Sequence, residues 1–367
     1  MSSKLHELGL HLTTGLGSVL IRQLVAQFGS AEKVYESNLK NLLRVPGIGQ
    51  NVARQILDKS GLQAAETELK SVENHKSEVI FYTDPSYPKR LKSLYDAPAL
   101  LYSKSNLDFN SGSFVGIVGT RKATDYGRAV TEEIVQGLVN KNIAVMSGLA
   151  YGIDIIAHRA CLKANVPTVG VMATGLDTIY PSTHLKTSQE IQETGGLLTE
   201  NRFGTKPDAV RFPARNRIIA GMSDVVIIVE AAQKGGALIT AEFANNYNRD
   251  VFAVPGNLHN SYSIGCNKLI QENKAQIFTG VDNLLEAMRW LPTTPSDQKM
   301  VDSAAAILTF TQEESQVIAL LKQHGETHID DLSWHSKIHH SKLATLLLNL
   351  EFQGFLRSLP GKRYVLC

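Results

Sequence analysis

The sequence predicts an α/β fold: a doubly wound, mostly parallel sheet with helices on both faces, a helical domain before it and a winged helix after it. Three observations predict this. Between residues 111 and 290, short and almost continuous apolar runs alternate with helical stretches, the pattern of parallel strands buried on both sides. Most of these runs end in a turn that carries glycine. The two flanks have helical apolar spacing of their own, and the second closes on a short hairpin.

Taken in order, residues 1–75 form the N-terminal helical domain, of helix-hairpin-helix or SAM-like type. Its apolar residues recur at helical spacing in Val19, Leu20, Ile21, Leu24, Val25 and Phe28, and again from Leu39 to Ile56. Glycine breaks fall at Gly15-Leu16-Gly17 and Gly47-Ile48-Gly49. The run from Leu43 to Ala53 resembles a helix-hairpin-helix turn, which offers backbone N–H groups to DNA phosphate without reading bases. Residues 12–17 are its candidate partner, and a purely structural helical hairpin is the alternative. Residues 77–110 connect this region to the sheet through a strand at Val79–Tyr82, interrupted by Pro85, Pro88 and Pro98.

The central domain, residues 76–290, has strands expected at Phe114–Val118, Ile143–Met146, Thr168–Met172, Leu197–Thr199, Val225–Val229 and Val251–Val254. This is an extended Rossmann-like arrangement. Residues 291–304 contain two prolines and little periodicity, and are expected to be a linker. Residues 305–367 then give helix, short helix, helix and two strands around Pro360-Gly361, with Leu343, Leu346, Leu347 and Leu350 as one apolar face. That order is a winged-helix pattern. Its third helix carries His339, His340, Ser341 and Lys342, and its wing Lys362 and Arg363, which leaves DNA reading and protein interaction both open.

Composition limits the function classes. The chain has 37 Lys+Arg and 35 Asp+Glu, a formal net charge of +2. Residues 1–76 hold 9 basic and 7 acidic residues, and residues 303–367 hold 6 of each, so no domain is basic as a whole. Nucleic-acid binding has to come from a few well-placed charges. The 3 cysteines, at 161, 266 and 367, have neither disulfide nor zinc spacing, which fits a reducing compartment. No signal peptide and no membrane-length apolar run are evident, so a cytoplasmic protein is expected, with no membrane partner, metal or cofactor.

Five glycine turns follow the carboxyl ends of the expected strands: Gly119-Thr120-Arg121, Ser147-Gly148-Leu149, Gly175-Leu176-Asp177, Gly235-Gly236 after Glu230, and Gly256. In parallel sheets these ends share one edge, where ligands bind. Glycine lets a ligand approach the backbone and helix N-termini favour anions, so the set suggests a phosphate-bearing ligand; tight turn geometry alone is the other reading. Neither a dinucleotide fingerprint nor a phosphate-loop ATPase motif is present. Arg215-Asn216-Arg217, preceded by Arg202, Lys206 and Arg211, suits phosphate gripping, or else solvated pairing with Asp208 and Asp224. Tyr151 and Tyr180 offer faces for stacking, or are ordinary half-buried tyrosines. Asp154 and His158, four apart on one helix, suggest a structural Asp–His contact.

Ile117–Arg121, Ser147–Asp154, Gly175-Leu176-Asp177 with Tyr180-Pro181, Phe212–Gly221 and Ala253–Gly256 together resemble the DNA processing protein A (DprA, also Smf) family over about residues 80–290. The resemblance implies a DNA recombination mediator without catalytic activity. It would bind single-stranded DNA, form a homodimer through the Rossmann-like domain, and protect and load incoming strands with RecA in natural transformation. It implies a DNA site of Gly119, Thr120, Arg121, Ser147, Gly148, Gly175, Tyr180, Lys186, Arg215, Asn216, Arg217, Gly235 and Gly236. Two departures stand out. Ser182, Thr183 and His184 follow Tyr180-Pro181 where the family often has a basic residue, leaving Lys186 as the nearest cation, and Gly235-Gly236-Ala237 replaces a commoner Ser-Gly-Ser. The competing reading is a Rossmann-like phosphoribohydrolase with Glu230 or Glu242 as its carboxylate; a scaffold acting through the winged helix is a third.

Overall fold

The structure, a computed structural model, describes residues 2–290, 311–352, 355–359 and 362–366. The expected linker at 291–304, the Pro360-Gly361 turn and Cys367 lie outside the described residues. The chain divides after residue 289 into two compact units.

The first unit begins with six helices: α1 (Ser2–Leu12), α2 (Ser18–Phe28), α3 (Ala31–Tyr35), α4 (Leu39–Leu42), α5 (Gln50–Leu57) and α6 (Ser60–Asn74). Then come β1 (Glu78–Phe81), α7 (Lys89–Lys92), β2 (Leu100–Ser105), β3 (Ser113–Val118), α8 (Asp125–Gly137), β4 (Ile143–Ser147), α9 (Ile153–Ala164) and β5 (Thr168–Val171). They are followed by α10 (Leu185–Thr194), β6 (Gly196–Thr199), α11 (Arg211–Met222), β7 (Val225–Ile228), α12 (Gly236–Asn246), β8 (Asp250–Ala253), α13 (Ile264–Gln271), β9 (Gln276–Ile277) and α14 (Val281–Ala287). Among the described residues the sheet has nine strands in the order β1-β2-β6-β5-β4-β3-β7-β8-β9. From β6 to β9 every pairing is parallel, while β2 runs antiparallel to both β1 and β6.

The central strands are apolar because helices cover both faces: β4 and β7 are buried along their whole length. On one face, α11 and α12 pack Ile218, Met222 and Ala241 against Val226 and Ile228. On the other, Ile155 and Ile156 of α9 share a core with Leu24, Ile21 and Val34 of the N-terminal helices and with Phe81, Leu100 and Tyr102. The N-terminal helices are thus packed onto the sheet rather than standing apart from it. The strand β2 was not expected from the sequence: Pro98 precedes it and its inward face reads as loop until β1 and β6 are seen to flank it. Thr124 caps α8, accepting a hydrogen bond from the Gly127 N–H, as its position suggests. No described helix is long and apolar enough to cross a membrane.

The second unit holds α15 (Gln312–His324), β10 (Thr327–His328), α16 (Ile329–Ser336), α17 (His340–Phe352), β11 (Leu356–Leu359) and β12 (Arg363–Leu366). Among the described residues its three strands pair in the order β10-β12-β11, so the expected hairpin is joined by a third, very short strand. Leu343, Leu347 and Leu350 are fully buried against Val317 and Leu321, as the apolar face implied. Two of the cations expected on the third helix and the wing are paired within the unit: Lys342 with Glu313 at 2.6 Å and Arg363 with Glu326 at 3.0 Å.

Asp154 and His158 share a helix face but do not pair. Asp154 Oδ2 accepts from the Gly148 N–H at 3.2 Å, and His158 Nδ1 lies 2.8 Å from Thr168 Oγ1. The Thr168 hydroxyl donates to the Val145 carbonyl, so the shared proton on the Thr168–His158 contact belongs to His158 Nδ1. Among the described residues, His158 Nε2 is buried without a partner. Burial, aided by the Arg215 and His184 charges, pulls the imidazole down to about 3. The native state therefore binds fewer protons than the unfolded chain between that value and the unperturbed ~6.5. The stabilisation from a neutral His158 is complete above ~6.5 and falls by about 1.4 kcal/mol per pH unit below it. Thermal melts between pH 7.5 and 5 should decline more steeply in the wild type than in His158→Asn; parallel declines would refute this.

Candidate nucleic-acid interface

The strand order reverses between β3 and β7. The chain leaves β3 toward β4 and returns to β7 on the other side, so the turns that follow these two neighbouring strands diverge and leave a crevice. A cleft of about 1040 Å³ opens there. That is at the upper end of the roughly 300–1,000 Å³ of small-ligand pockets.

One wall is the turn Gly119-Thr120-Arg121. It is pinned on several sides. The Thr120 N–H donates to the Glu230 carbonyl at 2.7 Å, and the Ile153 N–H donates to the Thr120 carbonyl at 3.1 Å. The Glu230 carboxylate accepts from the Thr124 N–H at 2.9 Å and from its hydroxyl at 2.6 Å. Gly152 permits the close approach of α9: its φ is +77°, and a Cβ there would lie 2.1 Å from the Thr120 carbonyl oxygen. Arg121 projects from this fixed turn into solvent, with its guanidinium carbon 5.5 Å from the centre of the Phe212 ring. Phe212 in turn lies 5.5 Å from the Tyr180 ring. The three side chains form a row of one cation and two aromatic faces.

The opposite wall runs from Ala231 to Thr240. Gly235 has an extended backbone, and a Cβ there would meet nothing within 4 Å, so the space before it is open. Gly236 begins α12, whose first amides have no intrahelical acceptor and favour an anion. The Asn216 amide holds this turn by donating to the Gly236 carbonyl at 3.1 Å. Lys234 stands exposed beside it.

Arg215 lies at the cleft floor and is only 5% exposed. Its Nη1 donates to the Gly148 carbonyl at 2.6 Å and also to the Val171 carbonyl, and its Nε donates to Asn216 Oδ1 at 3.2 Å. A Cβ on Gly148 would lie 2.5 Å from this guanidinium, which is why that position is glycine. Burial lowers Arg215 to about 10, and burial raises Asp154 against the pull of the same guanidinium. The pair ties together the turns after β4 and β5.

Of the expected site residues, Gly119, Thr120, Arg121, Tyr180, Arg215, Asn216, Gly235 and Gly236 line the cleft. Five stand elsewhere. Ser147 is buried, its hydroxyl donating to the Ile117 carbonyl at 2.7 Å. Gly148 is covered by Arg215, and Gly175 is packed against the Arg202 carbonyl. Arg217 is paired with Glu200 and mostly buried. Lys186 is on the outer side of α10, its side chain 90% exposed and 3.8 Å from Glu190. The Arg-Asn-Arg triplet lies within a helix. Pro213 is accommodated in the first turn of α11, so the helix already includes Arg215 to Arg217. Asp224 pairs with Arg90 at 2.7 Å rather than with this cluster, whereas Asp208 pairs with Arg211 at 3.5 Å. Tyr151 packs on His184 instead of facing the cleft. Phe212 and Lys234 were not singled out from the sequence. Each adjoins a residue that was, Phe212 before the arginine cluster and Lys234 before Gly235-Gly236.

Residues 78–289 match the family described as DNA recombination-mediator protein A, and residues 301–362 match the DprA winged helix domain. Protein Smf of Synechocystis is 32% identical over 95% of this chain and 95% of its own length. The X-ray structure of DNA processing protein A from Streptococcus pneumoniae superposes with a TM-score of 0.68 at 34% identity, covering 77% of this chain and 97% of that one. A structure describing the single-stranded DNA binding mode of DNA processing protein A from Helicobacter pylori gives a TM-score of 0.53 at 31% identity, over 58% of this chain and 95% of that one.

Proposed function

Because the chain belongs to the DNA recombination-mediator protein A family, we propose that it holds single-stranded DNA in the cleft between the β3 and β7 turns and delivers it to RecA. One observation carries the binding reading. Two anion-favouring turns, Gly119–Arg121 and Gly235-Gly236, face each other across a cleft that also holds the Arg121–Phe212–Tyr180 row. Phosphates suit the turns and unpaired bases suit the rings, without demand for sequence. The Helicobacter pylori relative, described as binding single-stranded DNA, supports the same assignment.

This is a binding role rather than a catalytic one. Glu230, a candidate carboxylate for nucleotide hydrolysis, is 1% exposed and has both oxygens engaged by Thr124. Glu242 lines the cleft on its second wall. Release of free base from nucleoside monophosphates would favour the hydrolase reading instead. RecA loading, a homodimer through the Rossmann-like domain, and a cytoplasmic role in natural transformation rest on family membership.

Fluorescence anisotropy with labelled single strands tests the binding. A few phosphate contacts should cost about 10- to 100-fold in affinity between ~50 and ~200 mM salt. Mixed-sequence and homopolymer strands should bind alike. Salt-independent affinity, or strong preference for one sequence, would count against the proposal. RecA filament formation on a pre-coated strand, with and without the protein, tests delivery: acceleration is expected, and no change would remove that part.

A further inference from the structure

A further side of the cleft is a stretch of chain without regular structure, residues 200–210 between β6 and α11. Pro207, Asp208 and Ala209 from it line the cleft, and Phe212 follows in the first turn of α11. Residues 206–211 are all exposed, Val210 by 75%. Among the described residues, the hydrogen bonds of residues 206–210 run only within that stretch and to the first turn of α11. The position of this side is therefore set at its root, residues 200–205.

The N-terminal helices grip that root. Glu68 of α6, only 8% exposed, accepts from the Phe203 N–H through Oε1 at 2.7 Å. The His75 ring, just past the end of the same helix, stacks on the Phe203 ring at 4.7 Å. Tyr102 of β2 meets the Phe203 ring edge-on at 5.8 Å. His11 of α1 hydrogen-bonds the Glu200 backbone. The next residue along reaches the loop that carries Tyr180. The Gly204 N–H donates to both carboxylate oxygens of Asp177 at 3.0 Å. The Gly175 N–H donates to the Thr205 carbonyl at 3.2 Å, and the Thr174 hydroxyl to the Thr178 carbonyl at 2.6 Å. Tyr180 stands three residues beyond Asp177. Phe212 and Tyr180, with rings 5.5 Å apart, thus hang from two loops joined at Phe203-Gly204, and Glu68 holds that junction to α6.

We propose that Glu68 is a positioning residue for the single strand: without touching nucleic acid, it sets the Phe212 and Tyr180 rings at the spacing that takes unpaired bases. This role depends on the cleft holding the strand as proposed above. It gives the N-terminal helices a part in binding through the β6–α11 stretch rather than through a contact of their own. The Gly119–Arg121 turn is held separately, by Glu230 and Ile153. A shift at the root therefore costs base stacking and leaves the phosphate contact of Arg121 in place.

Two labelled strands of equal length separate these parts: a mixed-sequence oligonucleotide and its abasic counterpart, which keeps the phosphates and has no bases. The wild type should bind the first ~10-fold or more tightly than the second, the size of base–ring stacking. Glu68→Ala removes the acceptor of the Phe203 N–H. It should lose about 10-fold on the mixed strand, stay within ~2-fold of wild type on the abasic one, and keep the wild-type salt slope. Glu68→Gln keeps an acceptor oxygen at the same reach and should bring mixed-strand binding back to within ~2-fold of wild type. Asp177→Ala cuts the same junction at an exposed residue and should repeat the base-selective loss; it decides the matter if Glu68→Ala disturbs folding. Equal losses on both strands, or no loss on either, overturn the inference and leave the cleft standing. Equal binding of the two strands by the wild type would instead remove base stacking from the cleft itself, and the role of Glu68 with it.

Discussion

Arg121→Glu should weaken single-strand binding by about 10- to 100-fold, the value of one charge-assisted phosphate contact with repulsion added in its place. Folding should hardly change. The side chain is exposed, and its one described contact is the Phe212 ring, an interaction of roughly 0.5–1 kcal/mol at such a site. A melting temperature near wild type together with the affinity loss would locate the effect in the cleft. Arg121→Ala should lose less affinity and flatten the salt dependence by a slope of about 0.7. Equal affinity for Arg121→Glu and the wild type would remove the strongest cation from the site.

Arg215→Ala should behave in the opposite way, as a folding defect first. The guanidinium is buried and supplies donors to the Gly148 and Val171 carbonyls while balancing Asp154. Its removal leaves a buried carboxylate without its cation and two carbonyls without donors, a loss of about 3–5 kcal/mol. In a unit of this size the melting temperature should drop by on the order of 10 °C. Asp154→Asn in the same chain should recover part of that, since the uncompensated charge is gone. If Arg215→Ala instead melted like wild type and lost only DNA affinity, Arg215 would be a ligand contact and the buried-network reading would be wrong.

The contrast between these two arginines shows what the sequence does and does not reveal. β3, β4, β5, β7 and β8 begin and end within about a residue of their expected limits, because strands buried on both faces announce themselves as short, nearly continuous apolar runs. The glycine turns were legible for a related reason, since each follows such a strand. Burial of Arg215 was not legible. Its partners Asp154, Gly148 and Val171 are distant in sequence, and no periodicity marks an arginine as inward-facing. Arg217 was misleading in the same way, because Glu200 reaches it only once β6 and α11 are side by side. Which turns share the cleft depends on where strand order reverses. That is a property of the sheet, so Gly175 and Gly148 could not be separated from Gly119 and Gly235 by their local sequence. Phe212 gained its importance from a ring contact with Tyr180 across more than thirty residues.

The location of the single strand is the central claim, and amide hydrogen exchange tests it most directly. With and without a short oligonucleotide, protection should increase in the segments around Gly119–Arg121 and Lys234–Ala237, and around Phe212. The turns at Gly15–Gly17 and Gly47–Gly49 should stay unchanged with a single strand. Protection concentrated away from the β3 and β7 turns, with those two segments exchanging as in the free protein, would contradict the account.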